Sequence, residues 1–278
     1  MNRKPKLGQN FLADPAAAQA IVDALGDISG HTVVEIGPGK AAITRLLASR
    51  AHRLIAIELD RELAPVLRDD FAHRANVEIL ERDVLQVDFS ELSVASDDKL
   101  LIVGNLPYYL TSDILLHIFA FSRVISRAVI MVQREVADRV AAHAGTSDYG
   151  LLSATAQLYT RAEKLLTLPP SSFVPPPQVH STVLRLTMEP QVESLGVNAS
   201  EFIGFLRQSF AQKRKTLANN LRAAGYSAVQ VKSAFEASGI AAGLRAEALP
   251  LRDAARLFLA LSDPKEKAAA LEECDGPV

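Results

Sequence analysis

The sequence predicts an α/β fold: a mainly parallel sheet that ends in an antiparallel hairpin, followed by a small all-α domain. Short apolar runs alternate with segments of helical periodicity between residues 15 and 143, which is typical of βαβ units. Two further apolar runs, 162–168 and 182–188, are joined by a connection too short for a crossover helix, so we expect them to pair antiparallel. From Ser200 onward only helical periodicity remains.

The elements of the α/β part follow from local signals in chain order. Asp14 and Pro15 are typical of a helix start, and Gly26 ends that helix. With the hairpin, five further strands give a seven-stranded sheet: 32–36, 53–57, 77–80, 100–103 and 128–132. Thr111-Ser112-Asp113 is interpreted as the cap of the helix after the fourth strand. Helices are also predicted from Gln133 toward His143 and over 151–159.

The chain is expected to contain two domains flanked by two tails. The polar, aperiodic stretch 189–198 separates them. We predict a basic arm or lid (1–13), an α/β domain (14–190), a helical domain (198–262) and a flexible tail (263–278). The helices of the second domain are predicted at about 200–211, 215–222, 228–238 and 250–261.

Composition narrows the class of protein. The 278 residues are 49% hydrophobic and 22% charged, which is ordinary for a globular protein. The single cysteine, Cys274, excludes a disulfide within the chain and speaks against a cysteine-based metal site. No signal peptide and no apolar stretch of membrane-spanning length is found. We therefore expect a cytoplasmic protein with no metal and no membrane contact.

The turn Gly104-Asn105-Leu106-Pro107-Tyr108 follows the strand 100–103 and precedes a helix. Ligands bind at this edge of an open α/β sheet. The Asn105 amide offers one acceptor and two donors, and the Tyr108 ring offers a flat apolar face. Together they suit a planar heterocycle that carries an amine, such as an adenine turned out of its stack. An ordinary turn is the alternative, because Asn and Pro are common in turns.

A second group of residues predicts an adenosine cofactor. The glycine turn Gly37-x-Gly39-x-x-Ala42 follows the first strand, and Glu58 ends the second, where it can accept from ribose hydroxyls. Asp83, after the third strand, could accept from an adenine amine; solvated strand ends are the alternative for both acids. Glu35, just before the glycines, suits an ammonium better than a pyrophosphate, which favours S-adenosylmethionine over a dinucleotide.

Six ordered motifs carry a family resemblance that spans about residues 6–260. They are Gly8-Gln9-Asn10-Phe11-Leu12, Glu35-Ile36-Gly37-Pro38-Gly39, Ile57-Glu58-Leu59-Asp60, Gly104-Asn105-Leu106-Pro107-Tyr108, Phe173-Val174-Pro175-Pro176-Pro177 and Gln212-Lys213-Arg214-Lys215-Thr216-Leu217. The chain is similar to the KsgA-type ribosomal RNA adenine dimethyltransferases. That resemblance implies a class I, Rossmann-like methyltransferase domain with a small helical domain. It also implies S-adenosylmethionine as cofactor and, as substrate, two adjacent adenosines in the 3′-terminal hairpin of 16S rRNA, each methylated twice at N6.

The resemblance also assigns roles to single residues. Asn10 and Leu12 would close over the methionine part of the cofactor, Glu58 would bind its ribose and Asp83 its adenine amine. The remaining cofactor contacts are predicted at Glu35, Gly37, Gly39, Leu59, Val84 and Asn105. The target base would be received by Asn105, Leu106, Pro107 and Tyr108, with Phe173 stacked on its other face.

Basic residues are segregated along the chain. Residues 1–13 and 202–232 contain no acid, although the net charge is −2. The basic side chains that we predict to contact RNA are Arg3, Lys4, Lys6, Arg207, Lys213, Arg214, Lys215 and Arg222. Phosphate contact explains such segregation, and a solvated helix face is the alternative. The expected partner is 16S rRNA in an immature small ribosomal subunit, bound by a monomer.

Three other functions compete with this interpretation. A large-subunit rRNA adenine dimethyltransferase would share the catalytic half, but the runs 173–177 and 213–217 favour the small-subunit type. A non-catalytic ribosome-assembly factor would not need an intact Glu58 or Asn105. An NAD oxidoreductase would need a catalytic His or Lys near the strand ends, and the sequence offers none there.

Overall fold

The computed structural model describes residues 10–93 and 99–262, which form two compact units. The first unit comprises the chain up to Asp138 together with Thr160–Glu189. The second comprises Arg139–Tyr159 and the chain from Pro190 on, so residues 139–159 group with the C-terminal helices. The domain limits at 190 and 198 stay predictions. The predictions for Arg3, Lys4, Lys6 and the tail 263–278 lie outside the described residues.

The described residues form nine strands, seven of which make the central sheet of the first unit. The strands are β1 (Phe11–Leu12), β2 (Thr32–Ile36), β3 (Arg53–Glu58), β4 (Val77–Glu81), β5 (Leu100–Asn105), β6 (Ile125–Gln133), β7 (Thr160–Leu168), β8 (Phe173–Val174) and β9 (Ser181–Met188). The sheet order is β4-β3-β2-β5-β6-β9-β7. The four neighbouring pairs β4-β3, β3-β2, β2-β5 and β5-β6 are parallel. β9 is antiparallel to both of its neighbours, β6 and β7. The predicted α/β class with its terminal hairpin is confirmed.

The strand order reverses between β2 and β5. From β2 the chain crosses to β3 on one side, whereas β5 pairs with β2 on the other. The sheet therefore opens a crevice at the carboxyl ends of these two strands. Both strands are mainly apolar and, apart from the half-buried Asn105 at the end of β5, buried along their length, as parallel strands covered by helices are.

A separate two-stranded sheet was not predicted. β1 pairs antiparallel with β8, with Phe11 opposite Val174 and Leu12 opposite Phe173. The Ala13 amide also donates to the Ser172 carbonyl, at 2.8 Å. Residues 10–13 are thus held as an ordered segment against the loop before β9.

Ten α-helices lie in the described residues. They are α1 (Pro15–Asp23), α2 (Thr44–Ala48), α3 (Leu63–Phe71), α4 (Thr111–Ala120), α5 (Arg134–Val140), α6 (Leu151–Tyr159), α7 (Ala199–Ser209), α8 (Leu217–Ala223), α9 (Ala228–Ser238) and α10 (Leu251–Ser262). Asp14 caps α1 as predicted, accepting from two backbone amides. The predicted cap at Thr111–Asp113 is wrong, because Thr111 is already helical and its hydroxyl donates to the Pro107 carbonyl.

All regular secondary structure in the described part of the second unit is helical. Its core holds the rings of Phe202, Phe205 and Phe258, with centroids 5.4–6.0 Å apart. α10 packs against α9 and α7, and α6 packs against α7. None of the helices in the described ranges is long and apolar enough to cross a membrane.

Candidate active site

A cleft of about 830 Å³, open to solvent, lies at the crevice of the first unit. It brings together most of the predicted site residues: Asn10, Gly37, Gly39, Glu58, Leu59, Asp83, Val84, Asn105, Leu106, Pro107 and Tyr108. A smaller pocket of about 320 Å³ shares Gly37, Gly39 and Asn105 with the cleft and adds Leu12 and Glu35. Cofactor and base residues predicted from separate motifs therefore meet at one place.

Sequence reasoning missed several residues that line the cleft. They are Phe11, Ile36, Ile57, Arg82, Tyr109, Leu110 and Ile114. Phe11, Ile36 and Ile57 lie inside recognised motifs but were given no role, and Tyr109 directly follows the motif that ends at Tyr108. Arg82 and Ile114 enter from the turn after β4 and from α4, and the sequence gives no signal for either.

The glycine turn is shaped so that the N-terminal segment can lie on it. Gly37 and Gly39 have φ values of 69° and 54°, a left-handed conformation that glycine adopts without strain. A Cβ on Gly39 would lie 2.8 Å from the Phe11 ring. The Lys40 ammonium lies over the same ring, 4.9 Å from its centroid. The absent side chain of Gly39 thus makes room for Phe11.

Glu58 connects the end of β3 to this turn. Its side chain is buried, and its two oxygens accept from the Gly39 amide at 3.0 Å and from the Asp60 amide at 2.9 Å. Burial raises the pKa of Glu58, while the two backbone donors oppose that shift. A carboxylate has about four lone-pair sites, so two bonds leave acceptor capacity for a ligand in the cleft.

Glu35 is a buried acid without a full set of partners. It is 1% exposed, and its Oε2 has no hydrogen-bond partner in the part of the chain that the structure describes. Burial raises its pKa to about 8; the Thr44 side chain opposes the shift and the charge of Glu58 adds to it. A buried carboxyl of this kind normally has a cationic or donor partner. An ammonium in the smaller pocket would supply one.

Replacing Glu35 with glutamine is expected to stabilise the ligand-free protein increasingly as the pH rises from about 4.5 to about 8. Below this window the carboxyl is protonated in both the folded and the unfolded chain. As the pH rises, the unfolded chain releases the proton while the folded chain retains it, so the wild type loses stability across the window. Urea unfolding at several pH values measures the difference between the two proteins; a constant difference would contradict the assignment.

The hydrogen bonds of Asn105 fix the orientation of its amide. Its Nδ2 donates to the Asn10 carbonyl at 2.8 Å. Because a carbonyl can only accept, the nitrogen must face Asn10, and Oδ1 is left as an acceptor to which no side chain or amide in the described ranges donates. The turn itself is pinned by the Leu106 amide, which donates to the Met131 carbonyl at 3.0 Å. Next to it, a Cβ on Gly104 would lie 2.6 Å from the Ile36 carbonyl oxygen, so only glycine lets β5 pass β2 here.

The two aromatic residues predicted for the base occupy different environments. Tyr108 lines the cleft, and its hydroxyl lies 2.9 Å from the Ser181 hydroxyl. Burial raises the pKa of Tyr108, so the phenol stays neutral and does not act as a base. Phe173 is 2% exposed, pairs with Leu12 and is not among the residues that line the cleft. Stacking of Phe173 on the target base stays a prediction.

Asp83 and Val84 follow β4 at the rim of the cleft. Asp83 Oδ1 accepts from the Leu85 amide at 3.0 Å, and Val84 is 7% exposed. This local bond fixes the Asp83 carboxylate beside the cleft. No group of three His, Cys, Asp or Glu side chains that could hold a metal occurs among residues 10–93 and 99–262.

The predicted RNA contacts that the structure describes all lie in the second unit and are exposed: Arg207, Lys213, Arg214, Lys215 and Arg222. Lys213 donates to the Ser147 carbonyl at 3.1 Å. Within the described ranges, none of the five forms an ion pair with an acid. Their charges are thus not neutralised by described acids.

The sheet is doubly wound, and the glycine turn, the buried Glu58 and the Asn-Leu-Pro-Tyr turn all line one cleft at its crevice. This is the architecture of a class I methyltransferase, whose cofactor is S-adenosylmethionine. The sequence model of the family described as "Ribosomal RNA adenine dimethylase" matches residues 1–263. The chain belongs to this family. The oxidoreductase alternative, which rested on the glycine turn, is therefore wrong.

Similar proteins agree with this assignment. Proteins named "Ribosomal RNA small subunit methyltransferase A" from Acidobacterium capsulatum and Koribacter versatilis are 62% and 56% identical, covering 94% and 92% of this chain and 92% and 93% of theirs. The crystal structure of the 23S rRNA methyltransferase ErmE has a TM-score of 0.67 at 25% identity, covering 91% of this chain and all of that one. A dimethyladenosine transferase from Plasmodium falciparum, at 24% identity and a TM-score of 0.73, shares the fold over 90% of this chain and 96% of its own.

The site fits the cofactor on two observations. The buried carboxylate of Glu58 lines the cleft and, after accepting from two backbone amides, still has acceptor capacity for a ligand. The smaller pocket is lined by Glu35, whose Oε2 has no hydrogen-bond partner among the described residues, and this suits the ammonium of a methionine group. Glu58 would hold the ribose hydroxyls and Asp83 the adenine amine.

Proposed function

We propose that the protein methylates N6 of two adjacent adenosines in the 3′-terminal hairpin of 16S rRNA, giving dimethyladenosines. The observation that carries the proposal is the fixed amide of Asn105, whose free acceptor shares the cleft with the Tyr108 ring. An acceptor beside an aromatic face suits an adenine amine. The relatives named for the small subunit, at 62% and 56% identity, support this target over the large subunit.

The turn activates the amine by accepting hydrogen bonds from its two N–H groups. The N6 lone pair of adenine is delocalised into the ring, so the amine is a poor nucleophile until it becomes pyramidal. We assign one acceptor to Asn105 Oδ1 and the other to the Leu106 carbonyl, because the Pro107 carbonyl already accepts from the Leu110 amide and the Thr111 hydroxyl. When bound, S-adenosylmethionine supplies an electrophilic methyl group.

No dedicated base is required. Of the described residues that line the cleft, none is a histidine, and Tyr108 is held neutral by burial. The amine proton becomes acidic only once nitrogen carries the new methyl group, and it can then pass to solvent. The protein therefore contributes positioning and electrostatics, as in other reactions with an already good leaving group.

The decisive experiment is methyl transfer from radiolabelled S-adenosylmethionine to under-methylated small ribosomal subunits, followed by nucleoside analysis. We expect dimethyladenosine near the 3′ end of the 16S rRNA. Large subunits are the parallel substrate. Transfer to large subunits alone would overturn the target, and cofactor binding without transfer to either would favour the assembly-factor alternative.

Replacing Lys213, Arg214 and Lys215 with alanine is expected to weaken RNA binding and flatten its salt dependence. The plot of log K against log salt concentration has a negative slope. Each of the three side chains that binds a phosphate in the wild type should contribute about 0.7 to 0.9 units to the size of that slope. Filter binding of 16S hairpin RNA over a range of salt concentrations measures that slope. Arg256→Ala is the control, because Arg256 is also exposed in the second unit but is paired with Asp253 at 2.8 Å. An unchanged slope in the triple variant would show that segment 213–215 is not the phosphate site.

The protein is further proposed to act as a monomer on immature small subunits in the cytoplasm, where bacterial ribosomes assemble. The similarity to bacterial relatives supports the location. The residues proposed to bind the cofactor and the base line one cleft within the first unit of a single chain. This supports a monomer, because the site needs no residue from a second copy. Light scattering of the purified protein tests that state.

A further inference from the structure

Ser181 is a buried hydroxyl with no part in the function described so far. It is the first residue of β9 and is 0% exposed. Its backbone is paired on both sides, with Gln133 of β6 and with Leu168 of β7. A side chain at this position is therefore fixed by the sheet rather than by a loop.

The Ser181 hydroxyl holds the far end of the Tyr108 ring. The two hydroxyl oxygens lie 2.9 Å apart. The near end of the ring is fixed separately, because Pro107 restricts the backbone and the Leu106 amide bonds to the Met131 carbonyl. A buried tyrosine hydroxyl usually has a partner, and here that partner decides where the ring tip lies. Because the two attachment points lie at opposite ends of the Cβ–Oη axis, together they fix the direction of that axis and so the place of the ring in the cleft.

We propose that Ser181 is a positioning residue for methyl transfer, which fixes the direction of the long axis of the Tyr108 ring against which the target adenine stacks. This rests on the proposed function, because it requires a base in the cleft. Ser181 touches Tyr108 and acts through it. None of the described hairpin residues lines the cleft itself, so the antiparallel hairpin supports the site indirectly, by holding the Tyr108 hydroxyl.

Four variants test the proposal: Ser181→Ala, Tyr108→Phe, the double variant, and Thr182→Val as the matched control. Thr182 is the next residue of β9 and is equally buried, and its hydroxyl lies 3.0 Å from that of Thr167. Its side chain points to the opposite face of the sheet, because successive side chains of a strand alternate. The control therefore removes a comparable hydroxyl without touching Tyr108.

Single-turnover methyl transfer to small subunits should slow about three- to tenfold in Ser181→Ala, the range for loss of one hydrogen bond. Tyr108→Phe should slow it similarly, and the double variant should be no slower than either, because all three lack the same bond. Binding of S-adenosylhomocysteine should stay within about twofold in every variant, because none of the changes removes a proposed cofactor contact. Thr182→Val should transfer at the wild-type rate.

A stacking readout separates positioning from general destabilisation. A 16S hairpin RNA with 2-aminopurine at the target position should be quenched more by the wild type and by Thr182→Val than by Ser181→Ala. An unchanged rate in Ser181→Ala, additive losses in the double variant, or equal quenching would overturn the role of Ser181. Failure of the wild type to methylate small subunits would instead overturn the proposed function. The two failures are distinguishable, because the role of Ser181 is judged by comparing variants with the wild type and the proposed function is judged from the wild type alone.

Discussion

Replacing Asn105 with alanine is expected to abolish methyl transfer, lowering the rate by about a thousandfold or more while the cofactor dissociation constant changes only a few fold. The substitution removes the acceptor for the N6 proton. It also removes the donor that bonds the Asn10 carbonyl at 2.8 Å. Radiolabel transfer to small subunits and calorimetry with S-adenosylhomocysteine measure the two quantities.

Asn105→Asp separates the two roles of this amide. Aspartate keeps an acceptor for the base, but its second oxygen would face the Asn10 carbonyl, and two acceptors at hydrogen-bond distance repel. We therefore expect slow transfer and a weaker hold on residues 10–12, seen as faster proteolysis of the N-terminal segment. Asn76→Ala is the control, because Asn76 also donates to main-chain carbonyls but lies outside the cleft. Normal transfer by Asn105→Ala would refute the assigned role.

The parallel part of the sheet could be predicted because its strands carry a strong signal. β2 and β5 are mainly apolar and almost entirely buried, and the observed β2 has the predicted bounds. The site residues at the ends of these strands followed from motifs that interrupt the apolar pattern with glycines, acids or an amide. At the crevice, the residues that break the apolar pattern and so mark the end of a strand are the same residues that line the site.

Other features depend on contacts between distant segments. β1 and β8 are two residues long and pair across about 160 residues of chain, so neither has a periodicity to detect. The hydroxyl of Ser181 meets Tyr108 only through the pairing of β9 with β6. Thr111 failed as a cap because the Pro107 carbonyl, one helical turn earlier, takes its hydroxyl.

The pKa of Glu35 also depends on the folded structure and could not be predicted from the sequence. The sequence places an acid beside the glycine turn and so predicts a partner for an ammonium. Its pKa of about 8 results from the position of β2 in the middle of the sheet, where water is excluded. Chain pattern alone does not give the protonation state.

Replacing Glu58 with glutamine is expected to weaken cofactor binding about tenfold to a hundredfold, although the two side chains have nearly the same shape. Both carboxylate oxygens accept from backbone amides, one from Gly39 and one from Asp60. An amide has only one oxygen, so in either orientation its NH₂ group faces an N–H donor. The conflict would displace the glycine turn or the chain after β3.

The matched control is Glu81→Gln. Glu81 ends the neighbouring strand β4, opposite Glu58 in register, but it is exposed and paired with Arg68. Calorimetry with S-adenosylhomocysteine should therefore give wild-type affinity for Glu81→Gln and a much weaker one for Glu58→Gln. Equal affinities would mean that the turn tolerates a donor at this position, and that the two backbone bonds of Glu58 do not support the cofactor site.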